Sequence, residues 1–239
     1  SSGVFDVQSG ITTLGNIQTG QNGSNATGLV KNGAGTLILG NANTFVNPVT
    51  VNAGTLQTNA AQALGNTSNA LTLANAATAT LNLNGFSQTI GSLAGGGATG
   101  GNIDLGANAL LTTGGNNTST AYAGVISGTG TSGLTKTGAG TLVLSKTNTY
   151  TGNTLVSGGK IVVGNALALQ NSAYDTASVN GGLDVTGFTT PTLGGLTGSV
   201  NLSSTLITGY GSLSTLSLNP QTGITNSYSG NVGNGNGSM

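Results

Sequence analysis

The sequence predicts an all-β protein whose short strands coil into a right-handed parallel β-helix (a β-solenoid) of about ten turns. Two observations predict this fold. Apolar and small polar residues alternate with a period of two, as in residues 36–39 and 81–84, and this alternation is typical of half-buried strands. Long blocks of sequence also recur, and recurrence favours a solenoid over a sandwich because each repeat buries the apolar edge of its neighbour.

The composition favours strands over both helix and disorder. Glycine supplies 44 of the 239 residues, and 36% of the chain is hydrophobic, which is too apolar for a disordered chain. Each glycine inside a helix would cost about 1 kcal/mol relative to alanine. Helical periodicity is nearly absent, and the strongest exception, residues 165–169, predicts at most one or two helical turns.

The repeats define the organisation of the chain. The block at residues 31–39 recurs at residues 136–144, and the two copies keep one register without a gap as far as Asn66 and Asn171. A second block occurs at residues 5–17 and returns twice more, at 81–93 and 183–196. We therefore expect a single solenoid of imperfect large repeats, with boundaries near residues 1–98, 99–200 and a partial unit at 201–239.

The dimensions of the expected solenoid follow from strand spacing. At roughly 22 residues per turn and about 4.8 Å between turns, the chain would form ten or eleven turns and a rod of about 50 Å. Glycine and asparagine are suited to the corners because they adopt left-handed backbone angles at low cost. The three prolines, Pro48, Pro191 and Pro220, are expected at corners or sheet edges, and parallel crossovers are right-handed by default.

Charge and hydropathy exclude several classes of function. Only 3% of the residues are charged and the net charge is zero, so no basic surface could neutralise the phosphates of a nucleic acid. The apolar runs are too short to span a membrane. The first residues lack the charged start and apolar stretch of a signal peptide, which fits a mature product whose signal has been removed.

The residues needed for catalysis or metal binding are scarce. The four aspartates are far apart in sequence; a coil could bring Asp104 and Asp184 together, but neither has an obvious partner for acid–base chemistry. The chain contains no histidine to serve as the base of a nucleophilic triad. Residues 100–105 superficially resemble a calcium-binding nonapeptide, but they lack its middle glycine and its tandem copies. We therefore expect no enzymatic activity, no cofactor and no bound metal.

One stretch carries a resemblance to a known family. Residues 134–167 contain, in order, the patterns G-x-G-T-L-x-L, N-T-Y-T-G-x-T and a G-x-L-x-V-like strand, and this stretch resembles the autotransporter-associated β-strand repeat. The first copy departs from this pattern where Val46-Asn47-Pro48 replaces the T-G-x turn. The resemblance implies a β-helical passenger region of a secreted bacterial surface protein, which is often an adhesin or a large fibrous exoprotein.

The first functional hypothesis is structural. A weakly charged rod meets little like-charge repulsion from its neighbours, and the open strand edges at the two ends of a solenoid can pair with another chain. The sequence therefore predicts a subunit or segment of an extracellular fibre, sheath or stalk that associates with itself through its ends or sides. The residues predicted to take part are Phe5, Val7, Tyr228 and Val232.

Two alternatives remain open at this point. The chain could be an adhesin module that binds a glycan or a host surface, and the inserted residues 106–121 are then the best candidate for a binding loop or face. A flat threonine-rich face could instead bind ice, although the threonines at residues 78–80 and 118–120 are scattered. Five isolated tyrosines could stack on sugars, but tyrosines at turns are more often packing residues.

Overall fold

The computed structural model describes residues 2–15, 27–211 and 213–233, which form many short strands and one short helix. In chain order the elements are β1 (Ser2–Asp6), β2 (Ile11–Leu14), β3 (Thr27–Asn32), β4 (Thr36–Leu39), β5 (Val49–Val51), β6 (Thr55–Thr58), β7 (Ala70–Leu73), β8 (Thr80–Asn82), β9 (Gln88–Ile90), β10 (Ser92–Gly95), β11 (Asn102–Ala107), β12 (Leu110–Thr113), β13 (Thr120–Tyr122), β14 (Ile126–Thr129), β15 (Gly133–Lys136), β16 (Thr141–Leu144), β17 (Thr154–Val156), β18 (Lys160–Val163), β19 (Leu169–Asp175), β20 (Leu183–Asp184), β21 (Thr192–Thr197), α1 (Leu202–Thr205), β22 (Ile207–Tyr210) and β23 (Ser217–Leu218).

The strands form three parallel sheets that are the three faces of a solenoid. Sheet A contains β1, β3, β5, β7, β10, β13, β16, β18 and β20 in spatial order; sheet B contains β2, β4, β6, β8, β11 and β14; sheet C contains β9, β12, β15, β17, β19, β21 and β23. Every strand pairing is parallel. The predicted parallel β-solenoid is therefore confirmed, and the nine strands of sheet A correspond to about nine coils.

The registers between coils stack interior side chains in columns along the axis. In sheet B, Leu37 pairs with Leu56, Leu56 with Leu81, and Leu81 with Ile103, and all four side chains are fully buried. Stacking of this kind removes apolar surface from water on both sides of each residue. The corresponding inner column of sheet A consists of Phe5, Lys31, Val51, Leu73, Gly95, Tyr122, Leu144 and Val163.

Three local expectations can be compared with the structure. Residues 165–169 form one turn, closed by a hydrogen bond from the Ala168 N–H to the Asn165 carbonyl, and not a helix. Residues 106–121 contain β12 and the start of β13, so they belong to the wall of the solenoid and not to a protruding loop. In the first-copy turn Asn47 adopts a φ of 136°, and its N–H donates to Asn69 Oδ1, so β5 still forms directly after it.

The two sequence copies occupy different faces of the solenoid. Strand β4, which begins the T-L-x-L pattern of the first copy, lies in sheet B, whereas its equivalent β16 lies in sheet A. Likewise Lys31 lies in sheet A and Lys136, 105 residues later, in sheet C. The interval is not a whole number of coils, because β15 follows β3 by four coils and two further faces. Equivalent residues in the two copies therefore point in different directions around the axis.

Candidate functional site

The first feature with unusual chemistry is a buried lysine in the inner column of sheet A. The Lys31 side chain is fully buried (0% exposed). Its Nζ donates three hydrogen bonds, to the carbonyls of Asn32 and Gly33 (both 2.7 Å) and of Ala53 (2.9 Å). Two of these acceptors lie at the next corner of the same coil, and the third lies one coil further on. The ammonium therefore ties together the corners of two successive coils.

The second copy of the repeat builds the same arrangement on another face. Lys136 is 1% exposed, and its Nζ donates to the carbonyls of Thr137 (2.5 Å), Gly138 (3.0 Å) and Gly158 (3.3 Å). The acceptors stand at the same positions of the repeat as those of the first copy. Gly138 adopts a φ of 63°, a left-handed angle that glycine adopts at low cost.

Burial lowers the pKa of both lysines. Desolvation lowers the pKa of Lys31 below its ordinary value, and the negative charge of Asp6 partly opposes this change. Burial also lowers the pKa of Lys136. A protonated lysine has three donors and no acceptor, so the three carbonyls at each corner match the ammonium form. We infer a structural role for these cations, since no substrate could reach them.

A conserved position of the two copies also joins successive coils by its side-chain amide. The Asn148 Oδ1 accepts a hydrogen bond from the Ile126 N–H (2.8 Å), and its Nδ2 donates to the Ala168 carbonyl (2.9 Å). In the first copy, Asn43 Nδ2 donates to the Ala63 carbonyl (2.7 Å). Each of these asparagines is buried. These asparagines recur in the repeat because their side-chain amides form hydrogen bonds with backbone groups of neighbouring coils.

Beside Asn148 lies a chain of buried hydroxyl groups. The Tyr150 hydroxyl lies 2.6 Å from Thr154 Oγ1, which lies 2.7 Å from Ser172 Oγ, and Ser172 in turn donates to the Gly152 carbonyl (2.6 Å). Burial raises the pKa of Tyr150 to about 12, although the hydrogen bonds to Thr154 and Ser172 lower it. The phenol is therefore held neutral inside the solenoid.

An open groove lies on the described surface, and we call it the sheet C groove. It has a volume of about 480 Å³, within the range of ligand sites in proteins. Its floor is the outer surface of sheet C, where Thr135 pairs with Leu155 and Asp175 pairs with Thr197. One wall is formed by the turns at residues 130–131 and 151–152, and the other by residues 223–226.

Two glycines that line this groove are required by the backbone. A Cβ atom on Gly133 would lie 2.5 Å from the Asn153 carbonyl oxygen, and one on Gly152 would lie 2.3 Å from the Thr131 carbonyl oxygen. Both positions must therefore remain glycine, and neither can fill the space above it. The groove was not predicted from the sequence, because its far wall comes from a segment about 70 residues further along the chain.

The residues predicted for self-assembly are distributed over the first coil and the last described segment. Phe5 is half-buried in β1, and Val7, just after that strand, is buried. Tyr228 is half-buried; its hydroxyl accepts from the Leu202 N–H (3.0 Å) and lies 2.9 Å from the Asn231 carbonyl. Val232 is exposed. No intermolecular contact tests this prediction, so it stays a prediction.

The other candidate residues do not come together. Asp104 lies in β11 of sheet B, and Asp184 lies in β20 of sheet A, four coils further on, where it pairs with Lys160 at 3.4 Å. Within the described residues there is no group of three or more side chains able to hold a metal ion. Thr80 and Thr120 lie on different faces, so the scattered threonines form no single flat surface.

Membrane insertion by a helix has no support in the described part of the chain. Its one helix, α1, has four residues, and no helix there is long and apolar enough to cross a bilayer.

Comparison with known proteins agrees with the repeat found in the sequence. The passenger-associated-transport-repeat family matches the chain twice, at residues 29–58 and 134–163. These two segments contain the buried lysines and the coil-joining asparagines described above. No solved structure matches the chain.

A curated relative gives the context in which this repeat occurs. The chain is 37% identical over 164 residues to a protein of Brucella suis biovar 1 (strain 1330) that is named the adhesin BmaC autotransporter. The match covers 65% of this chain and 5% of that protein. The similarity therefore concerns a small section of a much longer protein.

The buried lysine generates a prediction about stability. In Lys136→Met the carbonyls of Thr137, Gly138 and Gly158 lose their donor, and the relief from burying a charge offsets only part of that loss. We expect the free energy of unfolding to fall by about 1–3 kcal/mol, measured by urea denaturation followed by circular dichroism. The control is Lys146→Met, at a partly exposed lysine, which should change it by less than about 0.5 kcal/mol. Equal stabilities of wild type and Lys136→Met would contradict the proposed role.

The buried phenol generates a prediction about pH. The pKa of Tyr150 is raised in the folded state to about 12, so the unfolded chain, with an ordinary phenol near 10, releases this proton first. The contribution of Tyr150 to stability is complete below about pH 10 and is lost as the pH rises toward 12. The free energy of unfolding of wild type should therefore fall over this interval by on the order of 2 kcal/mol more than that of Tyr150→Phe. Parallel pH profiles of the two proteins would show that Tyr150 does not contribute.

Fold, repeat and relative agree on the type of protein. The stacked coils, the two matched segments and the similarity to an autotransporter indicate a secreted chain displayed at the cell surface. The resemblance inferred from residues 134–167 is confirmed: residues 29–58 and 134–163 of this β-solenoid match the passenger-associated-transport-repeat.

Proposed function

We propose that the chain is a section of the solenoid stalk of a secreted bacterial adhesin. This section carries sites for a glycan or a host surface and holds them away from the cell. The observation that carries this proposal is the unbroken stack of sheet A from β1 to β20. Each coil pairs its backbone with the coils before and after it, so the described chain contains no hinge between repeats. Supporting this, the relative from Brucella is named an adhesin.

The interior of the stack supports a mechanical role. The apolar columns run through successive coils, and the lysine and asparagine hydrogen bonds join neighbouring coils at their corners. A repeat protein of this kind gains stability from contacts between nearest neighbours, so added coils lengthen the rod without requiring a new core. Such a rod suits display at a distance from the membrane.

A second candidate is self-association into a fibre or sheath, and exposed apolar residues on the first described coil favour it. Val4 in β1 is 54% exposed and Ile11 in β2 is 71% exposed. In the described chain β1 and β2 are edge strands, and exposed edges pair readily with other strands. The occupant of this surface would be a further solenoid coil, contributed by the same long protein or by a second copy.

The adhesin role predicts binding by the isolated chain. Beads that carry the purified chain should be retained under flow on epithelial cell layers or on polysaccharide-coated glass several times more often than control beads. The control beads carry an unrelated protein at the same density. Retention no higher than that of the control beads on every surface would contradict an adhesive role.

Self-association predicts a concentration-dependent increase in mass. Sedimentation velocity of the wild-type chain should show oligomers that grow with concentration, because pairing at the first coil buries Val4 and Ile11. The variant Ile11→Lys places a charge on that surface and should remain monomeric, whereas Val232→Lys tests the predicted contribution of the opposite end. A wild-type chain that is monomeric at every concentration would contradict association through this coil.

A further inference from the structure

We propose that the sheet C groove binds a neutral oligosaccharide. This inference rests on the proposed adhesin role and names a binding site for it. The groove combines exposed polar groups with a few apolar side chains, and it is open along the solenoid axis across the strands of sheet C. Clefts with this combination are typical of small-molecule sites, where a few polar groups fix orientation and apolar groups supply contact area.

The polar groups of the groove have unused hydrogen-bonding capacity. The Thr135 hydroxyl points outward from β15, with no partner in the described part of the chain. One carboxylate oxygen of Asp175 accepts from the Ala177 N–H (2.9 Å), which leaves the other oxygen available. The exposed Asn153 amide reaches Thr197 Oγ1 only at 3.3 Å. Hydroxyl, amide and carboxylate groups of this kind can exchange hydrogen bonds with sugar hydroxyls.

Apolar side chains in the groove can contact the C–H faces of sugar rings. Leu155 stands beside Thr135 on the floor, Leu110 is 41% exposed near one end, and Ile224 is 38% exposed on the far wall. Alternation of polar and apolar contacts matches a pyranose chain better than it matches an acyl chain. Because Asp175 carries a negative charge and every other lining residue is uncharged, an anionic ligand has no counter-charge in the groove.

The charge of the whole outer surface supports a neutral ligand. The chain has four cations, and two of them, Lys31 and Lys136, are buried in the interior. Of the remaining two, Lys160 pairs with Asp184. A sulfated or phosphorylated chain therefore finds almost no cationic surface, whereas hydrogen bonding to neutral hydroxyls needs none.

The first sequence copy lacks this groove and offers a matched control. The positions equivalent to Thr135 and Asn153 are occupied by Val30 and Pro48, and neither lines the groove. Val30 is partly exposed on the outer side of β3, as Thr135 is on β15. A bulky substitution at Val30 therefore places an equally large side chain on the outer side of a strand without changing the groove.

The test is titration of the purified chain with maltohexaose, cellohexaose and chitohexaose, with a heparin hexasaccharide as the anionic comparison, followed by NMR or calorimetry. We expect at least one neutral hexasaccharide to bind with a Kd on the order of 1 mM and the heparin fragment not to bind. Thr135→Phe fills the groove and should weaken binding at least about tenfold. Val30→Phe should bind as wild type does. Urea denaturation of both variants establishes that each is folded.

Several outcomes would overturn the proposal. These are the absence of binding to all three neutral sugars, binding that Thr135→Phe leaves unchanged, and dimerisation of the wild-type chain that Thr135→Phe abolishes, which would assign the groove to a second copy.

The bead experiment separates this inference from the adhesin role. Beads retained through a surface other than the groove are still retained when they carry Thr135→Phe, in which case the adhesin role stands and the groove proposal fails. If the chain binds a sugar but the beads are not retained, the groove proposal stands and the adhesive role fails.

Discussion

Parallel pairing between successive coils is the constraint on which the rest of this structure depends. It fixes each interior side chain directly above and below its counterparts in the neighbouring coils, at a separation of about 4.8 Å. A polar residue in such a column cannot turn toward water and must find its partners inside. Lys31 stands between Phe5 and Val51, and it meets this requirement by extending its ammonium to three backbone carbonyls at the corner.

The sequence predicted the features that this constraint repeats most often. Alternation in segments such as Thr36–Leu39 marks the strands, and the pattern of inner and outer residues in β4 follows it (burial alternates along the strand). The recurring blocks predicted stacking, because equivalent strands need equivalent neighbours. Sheet identity could not be predicted in the same way. It depends on the sum of strand, corner and turn lengths, and an error of a few residues moves a strand to another face.

The buried lysines show a second limit of sequence interpretation. A lysine is almost never fully buried without a partner, and the partners of Lys31 and Lys136 are backbone carbonyls, which every residue possesses and no sequence pattern marks. One signal was available: both lysines hold the same position in the two copies, in a chain with only four cations. Rarity combined with repetition at one position would have pointed to an interior role.

The two sequence copies lie on different faces of the solenoid, so their equivalent outer residues do not form one continuous surface. Residues that build the interior recur in both copies, because every face must bury apolar side chains and satisfy its buried polar groups. Surface features need not recur. The sheet C groove combines the second copy with residues 223–226, whereas the first copy places Val30 and Pro48 at the corresponding positions of another face. The repeat boundaries expected near residues 98 and 200 stay a prediction.

The weakness expected of a single neutral groove is consistent with a long, multivalent rod. A site without ionic contacts gains affinity only from hydrogen bonds exchanged with water and from limited apolar area, and each such hydrogen bond contributes about 1 kcal/mol net. Linking several such sites on one rigid stalk raises the effective concentration at each later site, so avidity can exceed the single-site affinity by about two to four orders of magnitude. If such grooves formed at other copies of the repeat, the rotation of the copies around the axis would turn them in different directions, which suits contact with an irregular surface better than with a flat one.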